Sequence, residues 1–263
     1  MDIKVSIITT VKNGSQYILK TLESIKSQTY QGFEHIVVDD GSTDNTVDLL
    51  ESFINQNPNY KLYIFQPGNL GRGKALNFAV SKANFDWVAI IDADDIWHPQ
   101  KLEAQANILK RNTDISVLAT KTGLFSDSIV FNRFEEFTEN RIAIKSLLYV
   151  NSVSHSSVVI KKDCAWYNES RTSQFDYELW LRLGFDKKKK IAIIKEELNF
   201  HRIHLNQSFE SKGGNKYVLN GYKLMSQYAI KNLLLLPWAI NTIKLIFKLL
   251  LPRKIKMMFR YDN

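Results

Sequence analysis

Trp87-Val88-Ala89-Ile90-Ile91-Asp92-Ala93-Asp94-Asp95 runs five apolar residues into three carboxylates. An apolar run this short, closed by polar residues, reads as a buried strand. On its N-terminal side Gly73 to Ala83 carries a helical pattern. On its C-terminal side Pro99 opens a helix through Leu109, proline being favourable in a first turn. The same rhythm extends back to the start of the chain. Val5 to Thr10 reads as a strand, and Gly14 to Gln28 as a helix with Ile18, Leu22 and Ile25 on one face. His35 to Val38 is a strand, Thr43 to Phe53 a helix capped by Ser42 or Thr43, and Leu62 to Phe65 a strand. Alternation at this spacing implies βαβ units, hence an open α/β fold with a mainly parallel sheet and helices on both faces.

Past about residue 120 the rhythm breaks. A helix is expected at Ile142–Tyr149, a strand at Ser157–Ile160, a helix at Asp176–Leu183, a strand at Leu198–Ile203 and a helix at Tyr217–Ile230. No internal repeat is visible, and Lys187–Lys190 reads as a solvated turn.

With 263 residues, 44% hydrophobic and 24% charged, the chain suits one large globular domain plus an appendage. Its single cysteine, Cys164, excludes an internal disulfide and a cysteine-based zinc site, and fits a reducing compartment. No signal peptide is read at Met1–Lys4. The net charge of +8 is concentrated in residues 231–263, where seven Lys and Arg face one acid, Asp262. A nearly neutral body with a basic, apolar tail points to a membrane surface and away from nucleic acid.

Ligands of parallel α/β sheets collect at the carboxyl ends of strands. Three polar clusters fall there: Thr9–Gly14, Asp39–Asp44 and Asp92–Asp95. The last repels itself unless a cation or hydrogen-bond donors compensate. Mg²⁺ and Mn²⁺ prefer oxygen ligands and bridge carboxylates to substrate phosphates. The plainer role for these acids is to cap the helix at Pro99, which Asp95 suits.

Together Val5-Ser6-Ile7-Ile8, Val37 to Asp44, Asn69-Leu70-Gly71 with Ala75 and Asn77, and Asp92 to Asp95 resemble the donor half of family 2 glycosyltransferases of the GT-A fold, over roughly residues 3–110. The resemblance implies an inverting transferase that uses a nucleoside diphosphate sugar, most often UDP-linked, with divalent Mn²⁺ or Mg²⁺. By position it implies that Thr9 and Asn13 line the nucleotide pocket, Asp39 accepts from the base, Asp92 lies near the ribose and Asp94 ligates the metal. An acidic acceptor suits a base that presents an N–H, as uracil does. Gly71-Arg72-Gly73-Lys74 precedes a helix whose first N–H groups favour anions. Arg72 or Lys74 either adds charge against the diphosphate or stands as a surface cation. The GxG lacks the context of a dinucleotide fingerprint.

In the second half, Asp176-Tyr177-Glu178-Leu179-Trp180-Leu181-Arg182 resembles the family's acceptor-side helix, which makes Asp176 the implied general base. Aspartate also suits an N-cap, and the two roles are compatible. The family commonly has Glu or Gln before the base, whereas Phe175 stands here, which leaves room for a shifted register with Glu178 as the base. Phe200-His201-Arg202-Ile203-His204 resembles the arginine–x–histidine strand that reaches back to the donor. On that match His204 ligates the metal or touches the diphosphate, with Arg202 in support. His155-Ser156-Ser157 falls at acceptor-side polar positions, while His35 and His98 read as structural.

The division expected is residues 1–230 as the glycosyltransferase domain (1–120 binding the nucleotide sugar, 121–230 the acceptor) and 231–263 as a basic amphipathic tail. Lys244 and Lys248 interrupt the apolar stretch at helical spacing, and each costs roughly 3 kcal/mol at a bilayer centre. An interfacial helix therefore fits better than a span; packing on the domain or a partner is the other reading. The expected protein is peripheral on the inner, cytoplasmic face of the cell membrane and acts on a glycan or lipid-linked acceptor. Two other readings are a sugar-1-phosphate nucleotidyltransferase, for which Thr9–Gly14 is too poor in glycine and basic residues, and a non-catalytic sugar-nucleotide-binding protein, which Phe175 alone favours.

Overall fold

A computed structural model of the chain describes residues 2–203 and 214–250. His204 and residues 251–263 lie outside the described residues. Two compact units are present, one of residues 1–142 with 152–204, the other of residues 143–151 with 205–263.

The first unit is built on one large sheet. Its strands are β1 (Val5–Val11), β2 (Phe33–Asp39), β3 (Leu62–Phe65), β4 (Trp87–Ile90), β5 (Ile96–Trp97), β6 (Ile115–Phe125), β7 (Glu139–Arg141), β8 (Val159–Lys161) and β9 (Lys190–Arg202). They lie in the order β3-β2-β1-β4-β8-β6-β9-β5, with β7 also on β9. The four strands β3, β2, β1 and β4 are parallel, as the alternation requires. Beyond them β8 runs antiparallel to both β4 and β6, and β6 pairs β9 in parallel. Helices α1 (Ile18–Lys26), α2 (Thr46–Gln56), α3 (Arg72–Lys82), α4 (Lys101–Arg111) and α5 (Phe175–Leu181) flank this sheet, and α5 runs on into a widened π-turn over Arg182–Asp186.

The parallel strands are apolar on both faces because both are covered. Val5, Ile7, Ala89 and Ile91 share a core with Ile25 of α1 and with Leu102, Ile108 and Leu109 of α4. Val11 and Val37 join Ile18, Leu22, Leu50 and Phe53 of α1 and α2. Ala75, Leu76, Ala79 and Val80 form the buried side of α3.

Helices α1 and α2 begin three or four residues later than their patterns suggest, for one reason. The polar residues ahead of them join the two preceding loops to each other instead of capping. Asn13 N–H donates to Ser42 Oγ at 2.8 Å, Thr43 N–H to Asn13 Oδ1 at 2.7 Å, Gly14 N–H to Thr46 Oγ1 at 2.9 Å and Ser15 N–H to Asp44 Oδ2 at 3.1 Å. The two-residue β5 matters more than its length suggests. Pairing Ile96 with Phe200 ties the segment just after the acidic cluster to the end of β9.

In the second unit, the helix expected at Ile142–Tyr149 is a 3-10 turn over Ile144–Leu148, and the expected Tyr217–Ile230 helix is α6 (Gly214–Lys231), followed by α7 (Leu235–Leu250). Asn241 Nδ2 donates to the Leu148 carbonyl at 2.7 Å, and the Tyr222 and Thr242 hydroxyls are 2.8 Å apart. Among the described residues no helix is long and apolar enough to cross a membrane.

Candidate active site

The ends of β1, β2 and β4 and the start of α3 come together at one edge of the sheet. Asp92 is the hub. Its Oδ1 takes a hydrogen bond from Arg72 Nη2 at 2.7 Å and lies 3.4 Å from His155 Nδ1, and its N–H donates to Ser156 Oγ at 3.1 Å. His155 Nε2 in turn meets the Tyr167 hydroxyl at 2.8 Å. Asn77 of α3 fixes that tyrosine through its main chain, accepting from Tyr167 N–H at 2.8 Å and donating to its carbonyl at 3.0 Å. Burial alone would raise the Asp92 carboxyl; the Arg72 guanidinium and His155 outweigh it and hold the group well below the usual carboxylate range. Asp92 in return raises Arg72.

Asp176, more than a hundred residues on from Arg72, stands close enough to act on this group. Its charge adds to the rise of the Arg72 pKa and to that of buried Tyr167, which burial drives upward first. Glu178 is otherwise engaged. Its buried carboxylate takes a forked pair of hydrogen bonds from Arg182, at 2.9 and 3.3 Å. The shifted register that would make Glu178 the base therefore loses its support. Phe175, the departure from the family pattern, is a packing residue. Its Cε1 would lie 2.8 Å from a Cβ placed on Gly73, so ring and glycine are fitted to each other.

Asp95 is not a helix cap, because its carboxylate points the other way. Fully enclosed at 2% exposure, it meets His201 Nδ1 at 2.7 Å and accepts from Arg202 N–H at 3.3 Å. Burial would lower the His201 pKa; the Asp95 charge and hydrogen bond, helped by Asp92 and Asp94, outweigh that and raise it to about 9. Arg202 is buried between the rings of Tyr17 and Phe125 and donates from Nε to the Asp94 carbonyl at 3.0 Å. It thus grips the main chain of the acidic loop. Asp94 is half-buried beside these partners.

Asp39 holds the turn after β2, accepting from Ser42 N–H at 3.0 Å and from the Ser42 hydroxyl. Asp40 holds the approach to α3, accepting from Leu70 N–H at 2.6 Å and Gly71 N–H at 3.1 Å. Gly71 has φ +83°, a backbone region that disfavours any side chain. Lys74 is exposed on the first turn of α3, and Arg72 shares that helix end. Asn13, at φ +55°, belongs to the cross-loop bonds.

Thr9 is not at the open edge. Its hydroxyl meets His35 Nε2 at 3.0 Å, and His35 Nδ1 meets the Tyr60 hydroxyl at 3.0 Å, all on the side of the sheet under α1 and α2. Alternation along β1 sends the half-buried Thr10 to the α3 side instead. From the sequence His201 has no assigned role and His155 falls among acceptor-side polar positions, whereas both meet carboxylates of the acidic loop. The nearness of His201 to the arginine–x–histidine pattern was the one available signal. His204 lies outside the described residues. Among those residues no three His, Cys, Asp or Glu converge on one point.

Comparison with known proteins bears on the fold and the family. An uncharacterised glycosyltransferase of Rickettsia typhi is 29% identical over 211 residues, which cover 76% of this chain but 64% of that protein, so the chain spans less than two thirds of its length. The O-antigen biosynthesis glycosyltransferase WbnJ of Escherichia coli is 28% identical over 68% of this chain and 71% of its own. Among solved structures, Staphylococcus aureus TarS 1-349 in complex with UDP-GlcNAc superposes with a TM-score of 0.68 at 21% identity, over 87% of this chain and 66% of that one. The mannosyltransferase PcManGT of Pyrobaculum calidifontis, in complex with GDP-Man and Mn²⁺, gives 0.62 at 16% identity, over 89% and 65%. These likenesses establish the GT-A-type open α/β fold. The family described as Glycosyl transferase family 2 matches residues 6–169, a span that begins inside β1 and takes in the whole Arg72–Asp92–His155–Tyr167 cluster, and the chain belongs to that family.

Proposed function

We propose that the protein is an inverting glycosyltransferase that moves a sugar from a nucleoside diphosphate sugar, UDP-linked in the first instance, to a hydroxyl of a glycan or lipid-linked acceptor at the inner face of the cell membrane. One observation carries the reading. The Arg72–Asp92 ion pair at the strand ends and Asp176 at the start of α5 share one electrostatic environment, although they are far apart in sequence. Family membership, and neighbours of the same fold that bind UDP-GlcNAc and GDP-Man, support it.

In this reading Asp176 takes the proton from the acceptor hydroxyl as its oxygen attacks the anomeric carbon. The new C–O bond forms on the face opposite the departing diphosphate, so the configuration inverts. Arg72 and Lys74 supply positive charge on the diphosphate side, and Asp39 accepts from an N–H of the base. The acidic loop fits a divalent cation. Asp94, half-buried in that loop and the position the family resemblance gives to the metal, would supply a carboxylate oxygen of the kind Mn²⁺ and Mg²⁺ favour. Such an ion, when bound, would offset the negative charge that gathers on the leaving diphosphate. Arg202 positions Asp94 through its main chain.

The test is release of nucleoside diphosphate from a panel of UDP- and GDP-sugars, with Mn²⁺ or Mg²⁺ present or chelated. Asp176→Asn is expected to lower turnover by about 10²–10⁴-fold while nucleotide still raises thermal stability. Unchanged turnover in that variant removes Asp176 as the base. A wild-type chain that releases nothing and gains no stability from any donor overturns the proposal.

A further inference from the structure

Helix α7 carries an apolar arc on its outer side. The outward arc holds Leu235, Leu236, Ala239, Ile243 and Ile246, and the four larger side chains are 62, 66, 54 and 52% exposed in that order. At 3.6 residues per turn these five fall within a sector of about 100°. Two of its polar side chains bond within their own unit, Asn241 to the Leu148 carbonyl and Thr242 with the Tyr222 hydroxyl, while Lys244 is exposed.

The turn ahead of α7 repeats the message. Leu233 N–H bonds the Ile230 carbonyl and Leu234 N–H the Ala229 carbonyl, which is the Schellman ending of α6. Its left-handed residue is ordinarily glycine. Here it is Leu233, at φ +56° and 84% exposed. A leucine held in a strained backbone with its side chain in water has no explanation among the described residues of the unit.

The charge of this segment of the sequence decides what covers the arc. Residues 231–263 carry seven Lys and Arg against one acid, and of these Lys231, two residues before Leu233, and Lys244, on a different side of α7 from the arc, are exposed. A second copy of the chain would bring like charge to like charge, whereas an anionic lipid surface complements both the lysines and the apolar arc. We propose that this arc, led by Leu233, lies in the interface of an anionic bilayer, parallel to its surface. This deepens the membrane-side part of the function proposed above and is independent of the sugar chemistry.

The experiment is co-sedimentation of the full chain with vesicles of phosphatidylcholine alone and of phosphatidylcholine mixed with phosphatidylglycerol. Leu233→Gly relieves the backbone strain, so the fold is not put at risk, and removes the apolar tip. Partitioning onto the mixed vesicles is expected to fall about tenfold, and further with Ile243→Asn. Release of nucleoside diphosphate from a soluble donor, and the thermal midpoint of Leu233→Gly, should be no lower than in the wild type. Wild-type binding that both variants retain places the contact elsewhere and overturns the arc alone. A wild-type chain that ignores mixed vesicles, or self-associates through α7 instead, overturns the membrane-side reading with it.

Discussion

His35 lies fully buried beneath the strand ends, joined to Thr9 at 3.0 Å and to Tyr60 at 3.0 Å. Burial lowers its pKa to about 3, against 6.5 for an ordinary imidazole. The unfolded chain therefore takes up a proton at this position as pH falls through 6.5, and the folded chain does not until about 3. The stability that the neutral ring secures is present above the upper value and is lost between the two. The loss runs at about 1.4 kcal/mol per pH unit, so acidifying from about pH 7 to about pH 4 removes about 3 kcal/mol through this one group. His35→Gln keeps a donor and an acceptor between Thr9 and Tyr60 and does not titrate. It is expected to start lower at neutral pH and yet to lose about 3 kcal/mol less on acidification. Urea unfolding of both proteins at the two pH values, followed by circular dichroism, measures the difference. Equal acid losses in the two chains, or an imidazole that titrates near its ordinary value in the folded protein, would refute the reasoning.

Other outcomes follow from single contacts. Glu178→Gln weakens the fork to Arg182 and should lower stability by about 1–3 kcal/mol while turnover stays within a few-fold; a collapse of turnover on a folded protein would return Glu178 to the chemistry. Gly73→Ala drives a methyl into the Phe175 ring and should cost about 1–3 kcal/mol, most of it recovered when Phe175→Leu is added. Additive effects in that double-mutant cycle would show that ring and glycine are not coupled. Asp40→Asn removes charge from the bonds to Leu70 and Gly71 and should lower stability by about 1–2 kcal/mol and weaken nucleotide-dependent stabilisation, read by thermal shift with UDP; a neutral substitution would count against it.

The first four strands were legible because each is a short apolar run closed by polar residues, and the structure places them within a residue or two of that reading. Strand β6 was not. Ile115–Phe125 has no glycine or proline at its boundaries, contains an exposed Lys121, and is held by register shifts against β9 that no local pattern reveals. The acidic loop and Arg72 could be read from spacing. Their partners could not, because the Asp92–His155 and Asp95–His201 contacts join residues 63 and 106 positions apart, beyond any helical or strand period. Thr9 shows the limit at close range. One step along a strand reverses the face, and a motif matched by position does not say which of two threonines points inward.

The bonds that tie Asn13, Gly14 and Ser15 to Ser42, Thr43, Asp44 and Thr46 have a consequence for engineering. Neither loop is held by its own bonds alone, although Asp39 and Asp44 brace the second from within. A graft of one without the other would leave main-chain N–H groups facing the wrong acceptors, and inserting a single residue would put every rung out of step. The two loops are therefore exchangeable only as a set, and libraries meant to retune this edge of the protein should vary them jointly.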